Sequence, residues 1–126
     1  MSDSQMQQLS GRLLAFARER DWEPFHSPKN LSMALAGEAG ELLAHFQWLT
    51  EAQSRSLDAE KTHAVSLEMA DIYIYLLRLA QVLGVDLDAA AREKIRINDR
   101  RYPADRVRGD ARRAAEWDDE DQGSSD

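Results

Sequence analysis

The sequence predicts an all-α fold: a helical bundle of about four main helices, completed by oligomerisation. Three observations carry this. Apolar residues recur at three- and four-residue spacings along four long segments, no stretch alternates as a half-buried strand would, and helix-starting and helix-stopping residues sit at the ends of those segments. A chain of 126 residues has the length of a single domain, and 43% apolar residues suffice for a packed core.

The first helix starts at Asp3 or Ser4 as its cap and runs to about Arg20, with Met6, Leu9, Leu13 and Phe16 on one narrow face. Asp21 to Ser27 breaks the pattern at Pro24 and carries Trp22, Phe25 and His26. Ser27-Pro28 reads as a cap followed by proline at the first helical position, opening a central helix that continues through Trp48.

At about 100° per residue, Leu31, Leu35, Leu42, Phe46 and Leu49 form one stripe of that helix. Glu38, Glu41, His45 and Trp48 form the next. Beyond them lie Ala34, Gly37, Gly40 and Ala44, small residues suited to a close neighbour; each helical glycine costs about 1 kcal/mol against alanine. Thr50 to Asp58 is polar and turn-like.

The long helix that follows ends near Gly84, a left-handed cap, and its second half is apolar nearly all round. Four helices in one chain cannot surround it, so a partner subunit is expected to cover the remainder. A last main helix runs to about Arg100, its stripe passing from Leu87 and Ala91 to Lys94, Asn98 and Arg101. After Pro103 the charges mix without period, and Asp118 to Asp126 reads as a disordered acidic tail. The expected organisation is a domain over 1–108 and a charged tail over 109–126.

Net charge is −7, which argues against a nucleic-acid polymer or an anionic membrane as main partner. Without cysteine there is no disulfide framework and no thiolate metal site. The first residues lack a signal-peptide pattern and no apolar run is long enough to span a bilayer, so a cytoplasmic protein is expected.

Glu38 and Glu41 leave one side of the central helix a turn apart, and Glu68 and Asp71 repeat the device on the long helix. A Glu-x-x-Glu pair is usually a solvated face. Here both pairs adjoin apolar stripes, and each is followed on its own face by an aromatic, Trp48 after Glu41 and Tyr75 after Glu68. Were the two helices neighbours, four carboxylates would converge. Two like charges at 4 Å repel by roughly 4 kcal/mol at an effective dielectric near 20. Several such pairs rival the roughly 5–15 kcal/mol that stabilises a small domain. A divalent cation removes the conflict, and all-oxygen ligands favour Mg²⁺ or Mn²⁺ over zinc. His45 reads as a neighbour of the site rather than a ligand, and His63 as surface. Trp22, Trp48 and Tyr75 suit either a core or a clamp for a flat base. Lys94 and Arg101, on a stripe that begins apolar, would match phosphate oxygens.

These residues resemble a family. Glu38-Ala39-Gly40-Glu41 and Glu68-Met69-Ala70-Asp71 look like the paired acidic motifs of the MazG-like all-α nucleoside triphosphate pyrophosphohydrolases. The likeness extends over about residues 5 to 108. Arg20-Asp21-Trp22, Phe25 to Leu31, Phe46-Gln47-Trp48 and Arg100-Arg101-Tyr102-Pro103 place it nearest the small dCTP pyrophosphatase branch.

The resemblance implies a homotetramer (a dimer of dimers) or homodimer, with Mg²⁺ held by Glu38, Glu41, Glu68 and Asp71. It implies hydrolysis of a nucleoside triphosphate, dCTP or a modified dCTP, to the monophosphate and pyrophosphate. Glu38 and Glu41 would be the catalytic carboxylates, Glu38 the preferred proton acceptor. Trp22, Trp48 and Tyr75 would form the base pocket with Asn98 nearby, Lys94 and Arg101 would meet the phosphates, and His26 would be a substrate-binding residue with no part assigned to it. One departure falls at Leu13, where animal members of the branch carry a histidine that approaches the nucleotide, so the base preference is left open. The alternatives are dUTP, another non-standard nucleotide or phosphoribosyl-ATP as substrate, or a non-catalytic helical interaction module.

Overall fold

The structure, a computed structural model, describes residues 4–112 and residue 116. The acidic tail expected over Asp118 to Asp126 lies outside the described residues. Within them the chain forms α1 (Gln5–Glu19), a 3-10 turn (Glu23–Phe25), α2 (Pro28–Ala44), α3 (Glu51–Ser54), α4 (Ala59–Leu83), α5 (Leu87–Arg101) and α6 (Ala104–Val107), and no strand. Four of these helices are long, as the periodicity requires. The chain divides into two compact units, Met1–Asp86 and Leu87–Asp126. The first contains α1 to α4; the second contains α5 and α6.

Side-chain caps fix where the helices of the first unit begin. Ser4 and Gln7 exchange hydrogen bonds as a capping box at α1, and the Ser27 hydroxyl accepts from Asn30 N at 3.1 Å to open α2. Asp58 accepts from Lys61 N at 2.7 Å to open α4. The same chemistry corrects the sequence reading of Thr50 to Asp58 as turn alone. Thr50 and Gln53 form a second capping box, enough to set the single turn of α3. That turn also shortens the central helix. It ends at Ala44 rather than Trp48, and tighter bonds such as Phe46 N to Leu43 O and Leu49 N to Phe46 O carry the chain to the Thr50 cap.

Two left-handed residues close the other ends. Gly84 (φ +68°) ends α4, with its own N–H donating to Gln81 O and Val85 N–H to Ala80 O. Asp21 (φ +53°) ends α1 in the same way, with Asp21 N–H donating to Arg18 O and Trp22 N–H to Ala17 O. A Cβ at Gly84 would meet nothing within 4 Å, so the cost of one is conformational alone. Gly84→Ala is expected to lower unfolding stability by about 1 kcal/mol, read as a shifted denaturant midpoint with unchanged slope.

Helix α4 lies along α2 and more briefly against α1. Ala17, Leu31, Val65, Leu77 and Ala80 are the buried apolar side chains of this packing. Much of the remaining apolar surface stays in water: Met33 and Leu43 on α2, Leu67, Met69 and Tyr73 on α4. Gly37 and Gly40 have nothing within 4 Å of where a Cβ would stand, so the close approach expected at these glycines is not made among the described residues. No helix among the described residues is long and apolar enough to cross a membrane.

Candidate functional site

Because α2 and α4 run side by side, their acidic faces meet. Glu38 and Glu41 from α2 and Glu68 from α4 each offer one carboxylate oxygen, and these oxygens all lie within 4.8 Å of one another. Glu38 Oε2 and Glu68 Oε2 are buried, and with the carboxylates ionised neither has a hydrogen-bond partner among the described residues. Burial pushes the Glu38 carboxyl up to about 7, reinforced by the charges of Glu41 and Asp71 and by carboxylates of Glu41 and Glu68 close enough to share its proton. His45 Nε2 lies 3.9 Å from Glu68 Oε1, beyond hydrogen-bond range, which places it beside the cluster.

The cluster fits a cation on its own terms. Buried carboxylate oxygens without partners are costly unless something positive meets them. The donor set is all oxygen, which suits a hard divalent ion. Asp71 stands outside the group of three, one turn along α4 from Glu68, and its charge still raises Glu38.

Asp71 also lines a cavity of about 330 Å³ together with Leu13, Phe16, Trp22, His26, Leu31, Ile74, Tyr75 and Arg78. That volume lies within the range of roughly 300–1,000 Å³ usual for small-molecule sites. Its aromatic wall is built in sequence. Phe16 and Trp22 meet edge to face with centroids 5.6 Å apart, and Trp22 and His26 do so at 6.4 Å. Arg20 caps the row with its guanidinium 3.6 Å over the Phe16 ring. The left-handed turn at Asp21 brings Trp22 back over α1. Asn30 Nδ2 donates to Phe25 O at 3.1 Å and holds the 3-10 turn against α2.

Of the residues singled out by sequence, Glu38, Glu41 and Glu68 come together, and Trp22, His26, Tyr75 and Asp71 share the adjoining cavity. Leu13, the point of departure from the family pattern, is on that cavity's wall. Trp48 is elsewhere: it follows the end of α2, is 86% exposed, and is not part of the wall. His63 is exposed, as expected. Lys94, Asn98 and Arg101 belong to the second unit, all on α5 and exposed.

The sequence reading missed Arg78. It treated the second half of α4 as apolar nearly all round, yet Arg78 sits there only 6% exposed. The physical reason is a set of partners from other elements. Arg78 Nε donates to His26 Nδ1 at 3.0 Å, Arg78 Nη1 to Gln81 Oε1 at 2.5 Å, and Gln81 Nε2 to Ser10 O at 3.0 Å. A signal was present: Arg78 follows Asp71 and Tyr75 at helical spacing on the same face of α4.

Fold and site together define a class, all-α proteins in which two acid-bearing helices pack beside an aromatic cavity. The model of the MazG-like family matches residues 34–116, and the chain belongs to that family. It is similar to dCTP pyrophosphatase 1 of Homo sapiens, 45% identical over 103 residues that make up 80% of this chain and 61% of that protein. It is also similar to dCTP pyrophosphatase 1 of Rattus norvegicus, 44% identical over 98 residues, 76% of this chain and 58% of that one. The chain thus spans about three-fifths of the length of these curated relatives. Among solved structures it resembles a pyrophosphatase from Archaeoglobus fulgidus, with a TM-score of 0.65 and 31% identity, covering 82% of this chain and 96% of that one.

Proposed function

We propose that the chain is a divalent-cation-dependent pyrophosphohydrolase that takes a nucleoside triphosphate and water to the monophosphate and pyrophosphate, with dCTP or a modified dCTP as preferred substrate. One observation carries the reading: the carboxylate cluster and the aromatic cavity are adjacent, with Asp71 of α4 belonging to the wall of one and the field of the other. That is the layout needed to seat a base beside the metal that holds its phosphates. The family, the dCTP pyrophosphatases among the relatives, and the archaeal pyrophosphatase support it.

In this reading Glu38, Glu41, Glu68 and Asp71 hold Mg²⁺, or Mn²⁺ in its place. When bound, the ion supplies neutralisation of phosphate charge and a lowered pKa for water. Glu38 accepts the proton of the attacking water, a role suited to a carboxylate whose proton affinity is set near neutral pH. Glu41, exposed at the mouth of the cluster, is the second catalytic carboxylate. Trp22 and Tyr75 flank the base. Trp48, Lys94, Asn98 and Arg101 are retained as substrate-binding residues on the family resemblance alone. The domain is taken as residues 1–108, and the setting as the cytoplasmic nucleotide pool.

Pyrophosphate release from a panel of triphosphates, with and without Mg²⁺, tests the reading. Hydrolysis confined to dUTP or another non-standard nucleotide would move the substrate and keep the reaction. No hydrolysis of any member would leave a helical interaction module.

The working form is proposed to be a homotetramer or homodimer, because the exposed Met33, Leu43, Leu67, Met69 and Tyr73 give α2 and α4 apolar surface with no cover among the described residues. Light scattering is expected to return a multiple of the 14.3 kDa chain mass; the mass of one chain would withdraw it.

A further inference from the structure

Arg78 is the buried charged side chain among the described residues of the first unit, and neither the metal cluster nor the hydrolytic step uses it. Its guanidinium is held from two sides. Gln81 accepts from Nη1 and is itself tied to the backbone of α1 through Ser10 O. The remaining contact is the informative one. Arginine has donors and no acceptor, so the Nε–H bond to His26 Nδ1 at 3.0 Å requires Nδ1 to be bare. A neutral imidazole with a bare Nδ1 carries its proton on Nε2.

His26 is otherwise fixed in place. Its backbone N–H donates to Glu23 O at 3.1 Å, Asn30 clamps the preceding carbonyl, and Trp22 meets its ring. Burial first, and the Arg78 charge second, lower its proton affinity, against a smaller opposing pull from Glu23, which favours the neutral ring that the Arg78 bond requires.

We propose that Arg78 is a positioning residue that locks His26 in the Nε2–H tautomer, so that the cavity presents a fixed hydrogen-bond donor to a carbonyl or ring-nitrogen acceptor on the substrate's base. This rests on the reading of the cavity as the base site. It adds that recognition there runs from α1 through Gln81 and Arg78 to an imidazole on the loop before α2. Leu13 offers no side-chain polar atom to the same wall, where His26 stands beside Trp22 and Tyr75 as a donor whose tautomer Arg78 fixes.

The test has two readouts. Long-range proton–nitrogen NMR on the full chain without substrate, with His26 assigned from the His26→Gln spectrum, is expected to show a bare Nδ1 and a protonated Nε2. A protonated Nδ1 overturns the proposal. In kinetics with the best triphosphate, Arg78→Met is expected to raise KM about tenfold with kcat within about threefold, the signature of lost binding rather than lost chemistry. In a His26→Ala background the same substitution is expected to add nothing, because Arg78 acts through His26; additive effects overturn the proposal. Should Arg78→Met fail to fold by circular dichroism, Arg78→Lys replaces it. Lysine keeps the charge and puts a methylene where the Nε–H stood, so it should release the tautomer and raise KM, and a released tautomer with a wild-type KM would overturn the proposal. A wild-type chain that hydrolyses no triphosphate defeats the functional reading and leaves the tautomer, measured without substrate, to be judged by itself.

Discussion

Glu68→Gln should cut pyrophosphate release by about a hundred- to a thousand-fold or more while raising the thermal midpoint of the metal-free protein. Both effects come from one feature. Glu68 gives the cluster an oxygen within 4.8 Å of those of Glu38 and Glu41, and its Oε2 is buried without a partner. In the absence of a cation that carboxylate is a liability, since it faces like charge and has surrendered its water. Glutamine keeps the shape, removes the charge and adds an N–H that the neighbouring carboxylates can accept from. In the presence of Mg²⁺ the same change removes an anionic ligand, and the phosphates lose the ion that neutralises them. Glu41→Gln and Asp71→Asn should behave alike in turnover, with helical circular dichroism unchanged. Glu60→Gln, which removes an exposed carboxylate from the first turn of the same helix, should leave turnover at wild-type level. Loss of activity paired with loss of stability would mean that Glu68 serves the core, and the cation reading would fail.

The fold was legible because its determinants are local. Ser4 and Ser27 cap helices by contacts with residues three positions on, and Gly84 ends one by its own φ, so sequence order alone exposes them. The acid cluster was legible in part. Three-residue spacing places Glu38 with Glu41 and Glu68 with Asp71, but that α2 and α4 are neighbours had to be assumed, and the structure supplies it. Trp48 shows where periodicity fails: 100° per residue was carried four positions past the end of α2, into turns where three- and four-residue bonds mix and the regular α-helical step is lost. Arg78 failed for another reason. Its place on the Asp71 and Tyr75 face was a local signal, but its burial is compensated by His26, 52 positions away, and by Gln81, whose own anchor Ser10 is 71 positions away, and spacing along α4 does not announce those. The close approach expected at Gly37 and Gly40 belongs to the same group. Sequence shows that a helix can be approached closely and says nothing of what approaches it.

Raising the pH from about 4.5 to about 7 should cost the metal-free protein stability through Glu38, and Mg²⁺ should restore it. The Glu38 carboxyl has an ordinary value of 4.5 and is pushed up to about 7 in the fold. Between those values the folded chain binds more protons than the unfolded one, so stability falls as pH rises. The contribution is fully present below the unfolded value and lost as pH climbs through the folded one. Two other groups act in the opposite sense. Asp110, held at about 2 by the hydrogen bonds of Arg112, stabilises above its ordinary 3.8 and loses that as pH falls, in a window lying below the Glu38 one. His26, lowered by burial and by Arg78, gains stability as pH rises toward 6.5, so its window overlaps the upper part of the Glu38 one. The diagnostic is therefore a difference: thermal midpoints of wild type minus those of Glu38→Gln, across pH 4 to 8. That difference should decline toward neutral pH in the presence of a chelator and flatten when Mg²⁺ is added. Saturating Mg²⁺ should also raise the wild-type midpoint outright, since an ion present at a hundred times its Kd stabilises by about 2.7 kcal/mol. It should do so more at pH 7.5 than at pH 5, because a protonated Glu38 competes with the cation for the same oxygen. A midpoint indifferent to Mg²⁺ at both pH values would show that the three glutamates hold no divalent ion.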